Sequence, residues 1–122
     1  IFSLRELTEN NIILVFGCGG ERDKLKRSVM GGIASEYADF VIVTDDNPRN
    51  EDPEEIRSQI INNCNDALEI SDRAEAIKKG IETGKKGDSI IIAGKGHEKY
   101  QVIGQDTIPF SDQETVRNIL GK

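Results

Sequence analysis

Three short runs, residues 11–16, 40–44 and 89–93, are almost continuously apolar and rich in Val and Ile, and each stops at a glycine or an aspartate. A strand with one wet face alternates apolar and polar residues. A run without alternation is covered on both faces, as happens when helices pack on either side of a parallel sheet. The intervening stretches are long enough for crossover helices. The chain therefore reads as an α/β domain of three layers, Rossmann-like, with a mostly parallel sheet.

Helix signals fill the gaps. Met30, Ile33, Ala34 and Tyr37 are spaced as one buried face of a helix ending near Ala38. Asp52-Pro53-Glu54-Glu55 combines a cap, a first-turn proline and a capping-box glutamate, with Ile56, Ile60 and Cys64 turned inward. A short strand is expected over residues 67–70. A helix follows from Asp72 to about Thr83, buried through Ala76, Ile77 and Ile81. The run Ser89 to Ala93 has the pattern of a central strand. Residues 100–104 and 107–110 flank Gly104-Gln105-Asp106, an antiparallel hairpin that would make the sheet mixed. Ser111 or Asp112 caps a last helix carrying Val116, Ile119 and Leu120. At the other end Ile1, Leu4 and Leu7 recur at near-helical spacing with no cap before them, so the chain looks like a domain cut from a longer one.

At 122 residues the chain fits one domain with a real core, and its net charge of −6 disfavours a general nucleic-acid or membrane binder. Cys18 and Cys64 form no metal-ligand spacing, and neither a secretory signal nor a membrane span is visible. A reducing, cytoplasmic setting is the expectation.

Three segments that could carry chemistry each follow a strong strand, where open α/β sheets bind ligands. The first, residues 17–27, places Arg22, Lys24, Lys26 and Arg27 around a helix start behind a glycine turn. Cations there oppose the helix dipole, an arrangement that calls for an anion, such as a nucleotide phosphate; a solvated face balanced by Glu21 and Asp23 is the plainer explanation. The second is Asp46-Asn47-Pro48-Arg49. The planar fork of an arginine matches a carboxylate or phosphate, although Asn-Pro alone is also an ordinary turn. The third is Gly94-Lys95-Gly96-His97-Glu98, either a flexible exit from a strand or a site in which Glu98 accepts from an ammonium. The sole histidine, His97, is more often a structural hydrogen-bonder than a catalyst. Adjacent Asp45 and Asp46 point to opposite faces if extended, so they are not expected to act as paired acids.

Gly17-Cys18-Gly19-Gly20-Glu21-Arg22 begins like a dinucleotide fingerprint, but Arg22 stands at the third glycine position, which weakens an oxidoreductase reading. The chain contains no G-x-x-x-x-G-K-[ST] phosphate loop. A receiver-like module would need its acidic pair after the first strand, where Gly17 and Cys18 stand.

Residues 16–24 (FGCGGERDK) with Lys26-Arg27, residues 44–49 (TDDNPR), residues 93–98 (AGKGHE) and residues 110–114 (FSDQE) together resemble the C-terminal domain of the Mur ligases, nearly end to end. Within that family the motifs are most similar to the branch adding the third amino acid of the peptidoglycan stem. The resemblance implies an ATP-dependent ligase that makes an amide bond through an acyl phosphate. It implies three domains, residues 1–122 being the last. ATP and Mg2+ would be bound mainly by the central domain, the partner over which this one closes. It further implies meso-diaminopimelate and a UDP-muramyl dipeptide as substrates, with Asp46 to Arg49 as the diaminopimelate motif. Arg22, Asn47, Arg49, Gly94 and Glu98 would contact the amino acid. No residue here is assigned a catalytic or metal-binding role. A lysine-adding relative, or another amino-acid ligase of the same fold, is the nearest alternative.

Overall fold

The computed structural model of the chain describes residues 11–20, 24–64, 66–95 and 98–121. The expected helix around Ile1, Leu4 and Leu7 lies outside these residues. The β-branched runs become strands β1 (Ile12–Phe16), β2 (Phe40–Val43) and β4 (Ser89–Ala93), which a short β3 (Leu68–Glu69) joins in a four-stranded sheet of order β3-β2-β1-β4. Every pairing in it is parallel, and Leu14 of β1 sits between Val41 and Ile91. Four helices are described: α1 (Lys24–Tyr37), α2 (Pro53–Ile61), α3 (Arg73–Thr83) and α4 (Asp112–Leu120).

The sheet separates two apolar layers. Leu14, Phe16, Val41 and Val43 pack with Ala34 of α1 and Ile56 and Ile60 of α2, while Val15 and Ile42 pack with Ala76 and Ile77 of α3 and, at its margin, Val116 and Ile119 of α4. Burying each such aliphatic side chain stabilises the fold by about 1.5–3 kcal/mol, which makes this sandwich the main source of stability. Side-chain oxygens cap three helices: Asp52 accepts from Glu54 N–H, Asp72 from Ala74 N–H and Ser111 from Glu114 N–H.

Four expectations are corrected. The hairpin, β5 (Tyr100–Ile103) and β6 (Asp106–Pro109), does not join the large sheet but forms a two-stranded sheet of its own. Strand β4 lies at an edge of the large sheet, not at its centre. Its apolar run reflects partial cover on both faces, Ile91 toward one layer and Ile92 toward the other with Ile90 exposed, and carries no information about lateral neighbours. The inner face of α1 is Arg27, Gly31 and Ala34, whereas Met30 and Ile33 are exposed. Small residues there let α1 approach α2 closely, so the larger apolar side chains are displaced outward. Leu120, finally, is exposed at the end of α4.

Candidate functional site

The turns after β1, β2 and β4 meet at the carboxyl end of the sheet, beside β1, where the strand order reverses. They enclose a cleft of about 360 Å³ lined by Gly17, Cys18, Gly19, Lys26, Arg27, Met30, Asp46 and Gly94. Close backbone contact holds the turns together. Gly20 N–H donates to Asn47 O at 2.7 Å, and a Cβ on Gly20 would lie 1.8 Å from Pro48 O, so no larger residue fits without displacing the turn. Gly94 has φ +119°, a conformation open to glycine, and a Cβ there would face Asp46 Oδ2 at 3.5 Å.

Asp46, Asn47 and Glu98 come together around Lys95. Lys95 Nζ donates to Asn47 Oδ1 at 2.8 Å and to Tyr100 O at 3.1 Å. It also approaches Asp46 Oδ1 at 3.0 Å, an ion pair without hydrogen-bond alignment, and Glu98 Oε1 at 3.9 Å. Asn47, itself buried, accepts a second bond from Val102 N–H at 2.9 Å and donates to Glu98 Oε1 at 3.3 Å. Pro48 is buried and Glu98 is partly exposed.

Arg49 is the one non-glycine residue with positive φ, +56°, among the described residues. That strained backbone is held by the hairpin: Arg49 N–H donates to Val102 O at 3.0 Å, and Gly104 N–H donates to Arg49 O. Gln101 adds a bond from Nε2 to Asp46 O at 2.7 Å. The half-buried guanidinium of Arg49 donates through Nη1 to Gly20 O at 3.0 Å and Asn47 O at 3.4 Å.

The basic residues of the first segment separate. Lys24 opens α1, and Lys26 lines the cleft from an exposed position. Arg27 is buried and forks onto Glu51 at 2.6 and 2.9 Å, with further bonds to Gln59 Oε1 and Gly19 O. Its hydrogen bond to Glu51 raises its pKa above the ordinary value. Arg22 and His97 lie outside the described residues.

Two further ion pairs brace the cleft. Asp45 turns to a different partner from Asp46 and takes Arg57 Nη1 at 2.5 Å; burial nonetheless raises its carboxyl pKa, against the pull of Arg57. Arg73 of α3 forks onto Asp112 at 2.8 and 2.9 Å and donates to Asp45 O and Ala93 O, joining the ends of β2 and β4 to the start of α4. Burial also raises the pKa of the Cys18 thiol, whose Sγ lies 3.7 Å from Met30 Sδ. Lys95 falls within the third candidate segment without a role of its own there, and Gln101 and Arg73 are not among the sequence candidates. A lysine between glycines after a buried strand was the available signal for the first; Gln101 and Arg73 offered none, because their partners are remote in the chain.

The family model described as "Mur ligase, glutamate ligase domain" matches residues 1–96. The chain is 56% identical over 119 residues to a UDP-N-acetylmuramoyl-L-alanyl-D-glutamate--2,6-diaminopimelate ligase of Rhizobium meliloti, covering 98% of this chain and 24% of that protein. An Agrobacterium fabrum protein of the same name is 53% identical over 120 residues, with the same coverage. A solved structure of a ligase of that name superposes with a TM-score of 0.88 at 40% identity, over 98% of this chain and 27% of the other. The chain thus spans about a quarter of the length of the curated relatives it matches. With its fold, its turn motifs and more than half of its length in agreement, the chain belongs to the Mur ligase family.

Proposed function

We propose that this chain is the amino-acid-binding, C-terminal domain of an ATP-dependent ligase that adds meso-2,6-diaminopimelate to UDP-N-acetylmuramoyl-L-alanyl-D-glutamate in the cytoplasm. The observation that carries the proposal is the turn Asp46 to Arg49, which holds an arginine fork, an amide and a carboxylate beside Glu98. Diaminopimelate differs from lysine by a distal carboxylate, for which Arg49 is the natural partner. Glu98 suits a ligand ammonium, and Arg22 a second carboxylate. For lysine, the arginine fork would be desolvated without its partner, a mismatch that discriminates strongly.

Bound elsewhere in such a ligase, ATP with Mg2+ would supply the phosphoryl group that makes the glutamyl carboxyl an acyl phosphate and leaves ADP. The amine nitrogen then bonds to that carbonyl carbon as the C–O bond to phosphate breaks, and the nitrogen loses a proton. The residues of this chain bind and orient the amine; none is needed as a covalent participant. With no phosphate loop in the sequence, Lys26, exposed on the cleft, is the residue suited to meet nucleotide phosphate when the central domain of the same protein closes on this one, whereas Arg27 is already engaged by Glu51. Among the described residues no cluster of His, Cys, Asp or Glu is fit to hold a metal.

The test is Arg49→Ala in the full-length ligase, assayed with diaminopimelate and with lysine. Truncating one partner of a buried charge pair costs about 2–5 kcal/mol, so kcat/KM for diaminopimelate should fall roughly thirtyfold or more. Lysine should lose little or gain, and Arg49→Lys should recover little, because an ammonium cannot reproduce the fork. Equal losses for both amino acids in a folded variant would refute the role of Arg49 in specificity.

A further inference from the structure

Lys95 has a side chain with no solvent exposure, yet it does not line the cleft and has no part in the ligand contacts proposed above. A buried ammonium persists only where neighbouring oxygens match it. Here they belong to Asp46, Asn47, Glu98 and the Tyr100 carbonyl of β5, so one cation joins three of the proposed amino-acid contacts to the hairpin that clamps Arg49.

The geometry has a directional consequence at Asn47. Its Oδ1 receives both Lys95 Nζ and Val102 N–H, two groups that can only donate. The carboxamide is therefore fixed with Oδ1 inward and Nδ2 toward Glu98. Charge is set as well. One ammonium against the carboxylates of Asp46 and Glu98 leaves a single negative charge, the complement of one ligand ammonium. Without Lys95 the carboxylates of Asp46 and Glu98 would lose their shared counter-charge, and Val102 N–H alone would hold Asn47 Oδ1 inward.

We infer that Lys95 is the positioning residue of the amino-acid pocket. It orients Asn47, holds the Asp46 carboxylate and, through Tyr100 O, seats the hairpin against the turn that carries Arg49. This inference rests on the proposed ligase function.

The experiment uses the full-length ligase with Lys95→Met, Lys95→Gln and Lys95→Arg, each checked by thermal melt, with KM measured separately for diaminopimelate, ATP and the UDP-linked substrate. Lys95→Met should raise KM for diaminopimelate about tenfold or more, the scale for losing one partner of a buried charged contact, while KM for ATP stays within about threefold. Lys95→Arg, which keeps the charge and its donors, should recover part of that rise. If Lys95→Met does not fold, Lys95→Gln, neutral but still an N–H donor, carries the same comparison. An unchanged KM for diaminopimelate, or equal rises for all three substrates, overturns the inference. A wild-type enzyme that cannot use diaminopimelate refutes the ligase reading instead, so the two failures are distinguishable.

Discussion

Asp112→Ala should be a strongly damaging truncation of a polar side chain outside the turns of the candidate site. Asp112 opens α4 and takes two bonds from Arg73, and the two side chains are 8% and 0% exposed. Removing the carboxylate leaves a guanidinium that cannot deprotonate in a layer packed with Ala76, Ile77 and Ile92. Breaking a buried pair costs about 3–5 kcal/mol. Because Arg73 keeps the Asp45 and Ala93 carbonyls, the lower end applies, about 3 kcal/mol. At about 4 °C per kcal/mol for a chain of this size, the thermal midpoint should fall by roughly 12 °C. Denaturant titration at unchanged m-value would give the same free energy independently. The consequence for the site is direct, since the two carbonyls Arg73 retains belong to residues next to Asp46 and Gly94. Arg73→Met combined with Asp112→Leu removes both charges and should recover only part of the loss, because apolar replacement of a buried pair is often neutral but the Asp45 and Ala93 carbonyls lose their donor. A cost under about 1 kcal/mol for Asp112→Ala, the range of exposed pairs, would refute this account of the pair.

Gly20→Ala should destabilise the chain by about 1–3 kcal/mol, the usual cost of overpacking, since its Cβ would overlap the Pro48 carbonyl; thermal melts would check this. In a ligase assay the same variant should weaken diaminopimelate binding, because the Asp46 to Arg49 turn is what must move. Both Cys18 and Cys64 have thiol pKa values raised above 9.0, chiefly by burial, so at pH 8 iodoacetamide should label them more slowly in the folded than in the unfolded chain, as followed by mass spectrometry. The sign for stability follows from linkage. The folded state keeps protons that the unfolded state releases near pH 9.0, so this contribution is intact below that pH and is lost as pH rises through the higher folded values. Cys→Ser variants at both positions should flatten that alkaline loss in denaturant titrations.

Much of the architecture was legible because it is written in local patterns. Apolar runs without alternation gave doubly covered strands, and Asp52-Pro53, Asp72 and Ser111 marked helix starts through caps that act within a few residues. The placing of three motifs after three such strands was enough to bring Asp46 and Gly94 to one cleft, with Asn47 and Glu98 beside it. The lateral position of β4, the detachment of the hairpin and the inner face of α1 were not legible. Each depends on which surface of an element meets which neighbour, and periodicity reports only that a surface is covered. The same limit hid Lys95, Gln101 and Arg73. Their partners lie up to 55 residues away in sequence, and a long polar side chain reads as solvent-exposed until the tertiary structure supplies oxygens for it. Residue types and order thus determined that a parallel α/β sheet would carry a set of turns bearing cations, an amide and carboxylates at its carboxyl end. Only the packed structure decided how those turns are aimed, because desolvation makes each buried charge take whichever partner the fold brings within reach.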